Sequence, residues 1–483
     1  MKKIRNTSLL SRNALYNTAY QLLNAVFPLV SVSYISRILE ADGMGMVAYA
    51  QNIVSYFVMF ASLGLLGYGT REVARVRETR RELDTLFSEL ILLNVISTAV
   101  YIACYAVLIK GVFADMYALY IAVGLELFFN FLNVEWFYQG MEDYGFITAR
   151  SLMVKAAALA MLFLFVNDRQ DYIIYALIHS AGAGLNYGIS CFSIRKRVRL
   201  CWHSLNLKRH LKPIAYLMIG IVSATLYSKV DVTMLGAMVG NEPVAYYTNA
   251  LRVIGIVMSF VTAVSGVFMP RLSYAFANEK HSYAQYVNTA LKIVVLLAVP
   301  ACAGVVLVAD DAVTIIFGYG FLQAAKVLQI LSVLTIIKSV GDLLCYQVIL
   351  SSGNEQKLIK SRVLGAASNI MLNAILIPDY GHVGAAVASV ISELIVNVVL
   401  LPDSMAIVRV RIEKSFFFSA MLSCIVMMIF VILIQHIGEP GLVRFLMSVV
   451  AGILAYGVML GITKNDMLVQ VIKSYRKFVK GKC

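Results

Sequence analysis

Eight ionisable residues interrupt long apolar stretches of this sequence. The basic ones are Lys155, Lys229, Arg252 and Lys338, and the acidic ones are Glu126, Asp231, Asp342 and Glu393. In a membrane, a charge at mid-depth costs at least ~2.5 kcal/mol, so such residues usually face a partner or a water-filled cavity. We therefore expect the functional site among them, with a local structural role as the alternative for each.

The basic group has the chemistry of an anion site. A low-dielectric wall strengthens the attraction between a fixed cation and a phosphate, and the cation replaces the hydration that the anion loses. We predict that these four residues bind a phosphorylated ligand. The four acidic residues are expected to couple transport to an ion or to balance the charge of the empty site.

The spacing of these residues leaves simpler explanations open. Lys338 and Asp342 are four residues apart, so on one helix they could neutralise each other. Arg252 lies about two turns from a predicted helix end and could reach water from there. Glu126 and Glu393 could each pair with a buried lysine.

The other candidates differ in how easily they find a partner. Lys229 and Asp231 are two residues apart and point to different faces of one helix, so each needs a partner on another helix. Lys155 lies near the middle of its stretch without an acid within one turn. Glu135 is expected near the end of a span, where water is close.

Long uncharged stretches must position these residues. Ten stretches of at least sixteen residues lack Asp, Glu, Lys and Arg; examples are 13–36, 43–70, 172–194 and 415–438. Four more stretches of similar length carry isolated charges, near 116–137, 145–166, 322–350 and 383–408. About 20 apolar residues in a helix cross a bilayer. The sequence therefore predicts an all-α polytopic membrane protein with about fourteen transmembrane helices.

Composition and charge support this interpretation. The chain of 483 residues is 60% hydrophobic and 14% charged, with a mean hydropathy of +0.79, so little remains for a soluble domain. Its net charge of +14 is concentrated in alternate loops, near 2–12, 71–81, 195–212, 357–362, 409–414 and 464–482. This asymmetry predicts cytoplasmic termini, and it makes the basic residues topology signals or contacts to membrane lipids rather than a nucleic-acid surface.

A similarity between two turns of the sequence suggests two lobes. The turn from Leu39 to Tyr49 is similar to the one from Leu235 to Tyr246, six predicted spans later. An even number of spans gives both copies the same orientation, as in two facing six-helix bundles with a central cavity. We predict an N-terminal lobe at 1–212, a C-terminal lobe at 213–408, and two extra spans with a basic tail at 409–483. Chance similarity between apolar hairpins is the alternative.

Several enzyme classes lack their signatures here. No GxxxxGK[ST] phosphate loop is present, and no loop is long enough to hold a polymerase or glycosyltransferase active site. The six histidines do not cluster, and the seven cysteines have no CxxC spacing. We therefore predict a transporter rather than an enzyme, without a metal site or a cofactor.

Three segments resemble Wzx-type flippases for lipid-linked oligosaccharides. One is Glu135-Trp-Phe-Tyr-Gln-Gly-Met-Glu-Asp-Tyr144, and another is the opening from Asn17 to Arg37 with the Gly43-Met-Gly45 turn and the Tyr68-Gly-Thr-Arg-Glu72 exit. The third is Lys229-Val-Asp231 with Met234-Leu-Gly236. The resemblance extends over essentially the full length, although its motifs are diffuse.

This resemblance implies membership of the multidrug/oligosaccharidyl-lipid/polysaccharide exporter superfamily, with a MATE-like fold of two six-helix lobes and two C-terminal helices. It implies that the protein flips undecaprenyl-diphosphate-linked oligosaccharides across the bacterial cytoplasmic membrane by alternating access, for O-antigen, capsule or exopolysaccharide synthesis. The diphosphate would be the ligand of the basic residues. A polysaccharide polymerase and a chain-length regulator are the protein partners that such a role suggests.

Three alternatives stay open. A multidrug exporter of the same superfamily needs an acidic, aromatic cavity for cations, which Lys155 and Lys229 disfavour. A flippase for the peptidoglycan lipid precursor is close in mechanism. A membrane-embedded polysaccharide polymerase would need a large outer loop, and the sequence shows none.

Overall fold

The computed structural model describes residues 2–203, 205–266, 268–410 and 413–467. It describes only the backbone of residues 2–26, 263–265, 280 and 355. Throughout this part of the chain the regular structure is helical, without a strand. The α-helices are α1 (Lys2–Ala61), α2 (Leu65–Val76), α3 (Arg80–Val112), α4 (Tyr117–Phe129), α5 (Glu135–Gly140), α6 (Tyr144–Phe165), α7 (Tyr172–Ile194), α8 (Lys208–Met238), α9 (Asn241–Gly266), α10 (Met269–Asn278), α11 (Lys280–Phe317), α12 (Gln323–Ser332), α13 (Leu334–Gly341), α14 (Val348–Ser351), α15 (Glu355–Ile407), α16 (Lys414–Ile437) and α17 (Leu442–Ile462).

Eleven helical segments of the described residues are long and apolar enough to cross a membrane. Two helices are too long for one crossing: α1 has 60 residues and α15 has 53, or roughly 90 and 80 Å against a hydrocarbon core of ~30 Å. Each contains one non-helical residue, Glu40 at φ 54° and Gly381 at φ 53°, where the helix bends sharply. The all-α membrane fold is confirmed, while the exact number of crossings stays a prediction.

The chain divides into two compact units, Met1–Ala245 and Tyr246–Cys483. Unit 1 contains α1 to α8, and unit 2 contains most of α9 and the helices after it. The two extra C-terminal helices are α16 and α17, and residues 468–483 of the basic tail lie outside the described residues. The lobe boundaries at 212 and 408 stay predictions.

In unit 1, two of the segments quoted for their family resemblance pack against each other. The indole of Trp136 on α5 covers Gly69 on α2, where an added Cβ would lie 2.9 Å from the ring. Gly140 likewise faces Val73, with an added Cβ only 2.6 Å from the valine Cβ. Phe87 on α3 closes the cluster, its ring centroid 5.6 Å from that of Trp136. The two glycines therefore permit a close crossing of α2 and α5.

The basic linker after α7 is fixed to α3. Side chains on α3 accept hydrogen bonds from backbone N–H groups of the linker: Asp84 from Arg199 at 2.9 Å, Ser88 from Cys201 at 2.8 Å, and Glu89 from Asn206 at 2.7 Å. Glu89, 1% exposed, also bonds Arg209 and the imidazole of His210. At these three positions the linker is therefore held against α3 within unit 1.

In unit 2, a π-helical turn at Asp342–Gln347 separates α13 from α14. Next to this turn, Asn397 on α15 donates its amide to the carbonyl of Ile337 at 2.8 Å. Gly341 lies directly under that amide, because an added Cβ would be 2.1 Å from the Asn397 Oδ1. Single π turns inside α-helices often mark functional sites.

Candidate functional site

Three of the predicted residues meet at one cavity in unit 2. The cavity has a volume of about 210 Å³ and is lined by residues of α9, α13, the π turn and α15. Lys338 and Asp342 line it from one side and Glu393 from the other. Thr262, Tyr346, Ser361, Arg362 and Asn397 supply further polar groups. A polar, charged cavity inside apolar helices is what a site for a hydrophilic ligand or ion requires.

The charges around this cavity pair across helices. The Lys338 Nζ lies 3.5 Å from the Glu393 Oε2, so the partner of Lys338 is on α15 rather than four residues along its own helix. Asp342 instead accepts a hydrogen bond from Gln347 at 3.0 Å. The Lys338 side chain is 40% exposed and that of Glu393 is 14% exposed. The pair is therefore accessible from the cavity.

Arg362 is a cavity residue that sequence reasoning missed. Its guanidinium lies 5.4 Å from the ring centroid of Tyr346, another cavity residue. In the sequence it follows Lys357 and Lys360, so it was interpreted as part of a topology signal. Arg362 lies two turns after the start of α15, farther into the helix than Lys357 and Lys360, and this depth is the signal that could have identified it as a cavity residue. Arg362 and Lys338 together with Asp342 and Glu393 give the cavity two charges of each sign.

The candidates in unit 1 occupy other positions. Lys229 on α8 is half-buried, and Glu126 on α4 lies within electrostatic range of it. Asp231 is 5% exposed and interacts electrostatically with Tyr56 on α1. The Lys155 Nζ on α6 lies 5.4 Å from the ring centroid of Phe27, a cation–π distance.

Arg252, in unit 2, contacts a residue of its own helix. It donates to the Asn249 Oδ1 at 2.7 Å, and Asn249 is fully buried. Arg252 does not line the cavity that contains Lys338. The structure therefore brings together three of the eight candidates at a cavity and places Lys229 within electrostatic range of Glu126.

Buried ion pairs were the main feature that the sequence did not reveal. Glu135 was expected to be solvated, but its Oε2 lies 2.7 Å from the Arg150 Nη2, and the side chains are 14% and 3% exposed. In unit 2, Arg444 on α17 bonds Asp311 on α11 at 3.0 Å. Among the residues that the structure describes, no three His, Cys, Asp or Glu side chains converge as a metal site requires.

Two family models each match more than half of the chain. The model for polysaccharide biosynthesis proteins matches residues 10–276, and the model for the lipid II flippase MurJ matches residues 172–452. Solved structures give the same picture of the fold. An inward closed structure of the lipid II flippase MurJ superimposes with a TM-score of 0.76 at 16% identity, over 94% of this chain and 100% of that chain. An inward-facing multidrug resistance MATE family transporter gives 0.64 at 15% identity, over 82% and 98%. The predicted MATE-like fold is confirmed.

Curated relatives cover most of the chain. A protein of Escherichia coli (strain K12) named as an O-antigen transporter is 23% identical over 407 residues, 82% of this chain and 97% of the relative. A protein of Haloferax volcanii named as a low-salt glycan biosynthesis flippase is 25% identical over 398 residues, 81% of this chain and 82% of the relative. Together with the family model, these relatives confirm the resemblance to Wzx-type flippases, and the chain belongs to the polysaccharide biosynthesis protein family.

Proposed function

We propose that this protein flips undecaprenyl-diphosphate-linked oligosaccharides from the inner to the outer leaflet of the bacterial cytoplasmic membrane by alternating access. The product would serve O-antigen, capsule or exopolysaccharide synthesis. The observation that carries the proposal is the unit 2 cavity, where Lys338, Arg362, Asp342 and Glu393 surround a polar space inside apolar helices. Family membership and the printed names of the relatives support the choice of substrate.

The Lys338–Glu393 pair has the strength that a ligand-exchange site needs. At 3.5 Å, two unit charges attract each other by roughly 5 kcal/mol at an effective dielectric constant of 20 and by about 1 kcal/mol in water. Because the Lys338 side chain is 40% exposed, solvent screening reduces the net value to about 1 kcal/mol or less. A diphosphate can therefore replace Glu393 as the partner of Lys338 at small cost.

The acidic residues can link this exchange to an ion. When an anion binds Lys338 in place of Glu393, Glu393 loses its positive neighbour and becomes a better acceptor for a proton or a metal cation. We propose that Asp342, which also lines the cavity, is a second site for the coupling ion or for charge balance. In unit 1, we propose that Lys155 and Lys229 contact the diphosphate, with Glu126 and Asp231 balancing their charge, and that Arg252 has the same role in unit 2. The prenyl tail stays in lipid throughout.

The cellular context is part of the same proposal. The chain is a multi-pass membrane protein whose termini we place in the cytoplasm, because the basic loops carry the positive-inside signal. A polysaccharide polymerase and a chain-length regulator would act on the product at the outer leaflet. The chemistry of flipping needs no bond to be made or broken, so we assign no enzymatic activity.

A flippase for the peptidoglycan lipid precursor is the second candidate. It is favoured by the MurJ family model over residues 172–452. Its substrate also carries a prenyl diphosphate, so the basic residues would have the same role. The two candidates differ only in the glycan. Growth of a strain depleted of its own peptidoglycan precursor flippase, when supplied with this chain, would favour the second candidate.

The proposal can be tested in cells that lack this chain. We expect them to accumulate the lipid-linked repeat unit at the cytoplasmic leaflet and to lose surface polysaccharide. Wild-type protein should restore export, whereas Lys338→Ala should reduce it about tenfold or more, because a contact between a charged group and phosphate is lost. Lys357→Ala is the matched control, since Lys357 forms a pair with Asp403 that is exposed on both sides, 44% and 39%.

Lys155→Ala and Lys229→Ala test the unit 1 residues in the same cells. We expect each to abolish export while the protein remains inserted and expressed, as judged by its level in the membrane fraction. Normal export in both variants would remove these residues from the proposed anion site. A repeat unit already accessible from outside in the deletion strain would reject flipping by this protein.

A further inference from the structure

A second cleft lies entirely within unit 1. Its volume is about 720 Å³, within the range of ~300–1,000 Å³ that small-molecule sites occupy. Its polar lining consists of two hydroxyl groups, three amides and one carboxylate, from Ser62, Tyr187, Asn94, Asn133, Gln139 and Glu135. Among the described residues, no lysine, arginine or histidine lines the cleft. Its lining therefore differs in kind from that of the unit 2 cavity.

One wall of the cleft is held in place by a buried amide network. Asn130, fully buried, donates to the Asn94 Oδ1 at 3.3 Å and to the Thr98 Oγ1 at 3.0 Å. Asn94 donates in return to the Asn130 carbonyl at 2.8 Å, and the Ser62 hydroxyl donates to the Asn130 Oδ1 at 2.9 Å. Asn94 and Ser62 are thus fixed before a ligand arrives, which reduces the entropy cost of binding.

Among the described residues that line the cleft, Glu135 is the only carboxylate, and a cation outside the cleft neutralises it. Glu135 pairs with Arg150, which is 4% exposed and is itself held by Asn186 at 3.0 Å and by Ser190. Arg150 does not line the cleft. The cleft therefore has no net positive charge to offer to a phosphate, while its carboxylate can still accept hydrogen bonds from hydroxyl groups.

Trp136 supplies a donor without a partner. It lines the cleft, is 2% exposed, and its indole N–H has no acceptor among the described residues. A buried donor that stays unsatisfied costs roughly 1–3 kcal/mol. The N–H is itself buried, so it recovers that energy when the wall shifts to bring a ligand oxygen against it.

The backbone beside the cleft is also unusual. Between α1 and α2, Leu63 and Gly64 both have positive φ, 49° and 62°, inside the apolar segment Phe27–Val76. A left-handed conformation costs a residue such as leucine roughly 1–2 kcal/mol. At membrane depth, non-helical backbone is tolerated where it is buried in protein or lines a water-filled cavity. Here Ser62 and Gly64 line the cleft, which fits a hydrated space.

We propose that this cleft binds the sugar residues of the transported lipid-linked glycan. The preorganised Asn94 amide and Ser62 hydroxyl, a buried indole N–H without a partner and a neutralised carboxylate match a neutral polyhydroxyl ligand rather than the diphosphate. The inference rests on the proposed function and adds to it a separate glycan subsite. The diphosphate and the sugars are then recognised at different places by different chemistry.

A binding experiment tests the subsite directly. The chain has only two tryptophans, so Trp202→Phe leaves Trp136 as its single indole fluorophore. The purified protein in detergent is titrated with the repeat-unit oligosaccharide released from its lipid and freed of phosphate. We expect saturable quenching or a spectral shift with the glycan and none with inorganic pyrophosphate. An equal response to pyrophosphate, or none to the glycan, would overturn the proposal.

Gln139→Leu provides the variant arm of this experiment. It removes a half-buried amide from the lining with little change in volume and should weaken glycan binding about threefold to tenfold, the effect of one neutral hydrogen bond. Gln329→Leu, outside the cleft, is the control and should bind like the parent protein. If Trp202→Phe reduces the yield, Gln139→Leu and Gln329→Leu can be made in the wild-type background instead. Calorimetric titration with the glycan then gives the same comparison of affinities. Equal affinity in both variants would contradict the subsite.

Transport of two lipids separates this inference from the proposed function. Proteoliposomes are given a prenyl diphosphate that carries either the full repeat unit or one sugar. We expect Gln139→Leu to raise the apparent KM for the full repeat unit about threefold to tenfold and to leave the single-sugar lipid unchanged. A wild-type protein that moves neither lipid refutes the proposed function. A wild-type protein that moves both, with Gln139→Leu unchanged on both, refutes only the glycan subsite.

Discussion

Removing Arg150 should destabilise the protein far more than removing an exposed arginine. The Arg150 guanidinium is 3% exposed and donates to Glu135 at 2.7 Å, to Asn186 at 3.0 Å and to Ser190. In Arg150→Met, the Glu135 carboxylate, only 14% exposed, loses the cation that balances it. Breaking a buried pair from one side costs roughly 3–5 kcal/mol. We expect a loss of this size in the free energy of unfolding.

Arg77→Met is the matched control. Arg77 also forms an ion pair in unit 1, with Glu142 at 2.9 Å, but the side chains are 35% and 50% exposed. Water screens such a pair, so its loss should cost about 0–1 kcal/mol. The purified variants are unfolded with denaturant in the same detergent, and the loss of helix is monitored by far-ultraviolet circular dichroism.

A double variant shows whether the loss of stability comes from an uncompensated charge or from lost packing. If the cost of Arg150→Met comes from the uncompensated Glu135, then Arg150→Met with Glu135→Leu should regain most of the lost stability, because apolar replacement of both partners is often neutral. The reasoning is refuted if Arg150→Met is no more destabilising than Arg77→Met. It is also refuted if the double variant is as unstable as the single one.

Two further predictions concern close contacts within each unit. Gly45→Ala should lower the unfolding temperature and the yield of folded protein, because the added Cβ would lie 1.9 Å from the backbone oxygen of Asn241. Gly111→Ala is the control and should behave like wild type, because an added Cβ there has no neighbour within 4 Å. Equal behaviour of the two variants would contradict this contact. Asp311→Asn should cost roughly 3 kcal/mol, because Arg444, whose side chain is 16% exposed, loses its carboxylate partner. Faster hydrogen exchange in α16 and α17 would report the loosened packing, and unchanged exchange would contradict it.

The membrane fold could be predicted because it depends on local composition. Uncharged stretches such as 415–438 became α16, and the turn near Gly381 that divides α15 lies just before the predicted stretch at 383–408. The number of crossings was harder to confirm, since α1 continues through Glu40 as one helix with a sharp bend. A single non-helical residue inside a long helix hardly changes the local amino-acid composition, so composition does not show where the helix bends.

The candidate site could be predicted only in part, because pairing depends on helix rotation. Lys338, Asp342 and Glu393 were identified from their depth in apolar stretches, and they do share a cavity. Of the two pairings left open, the structure has the one between Glu393 and a buried lysine: the partner of Lys338 is 55 positions away on another helix, and not Asp342 four residues along its own. Which faces of two helices meet is a property of packing that no short spacing records.

Basic residues near the ends of spans have contacts that the sequence analysis did not predict. Arg362 was interpreted as a topology signal, although it lines the unit 2 cavity. Arg209, in the predicted basic linker and at the start of α8, donates to the buried Glu89, which is 120 positions earlier. A positive charge at a span end can direct membrane insertion and also bind a specific partner, and the sequence does not separate the two roles.

Flipping by purified protein tests the central claim most directly. Proteoliposomes would contain the chain and a prenyl-diphosphate-linked oligosaccharide with a fluorescent sugar, and a membrane-impermeant quencher would report the rate at which the inner-leaflet lipid becomes accessible. We predict rapid transfer with wild type and with Lys357→Ala, and transfer slowed about tenfold or more with Lys338→Ala. Wild-type protein that leaves the lipid on its original leaflet, or a Lys338→Ala variant as fast as wild type, would contradict the account.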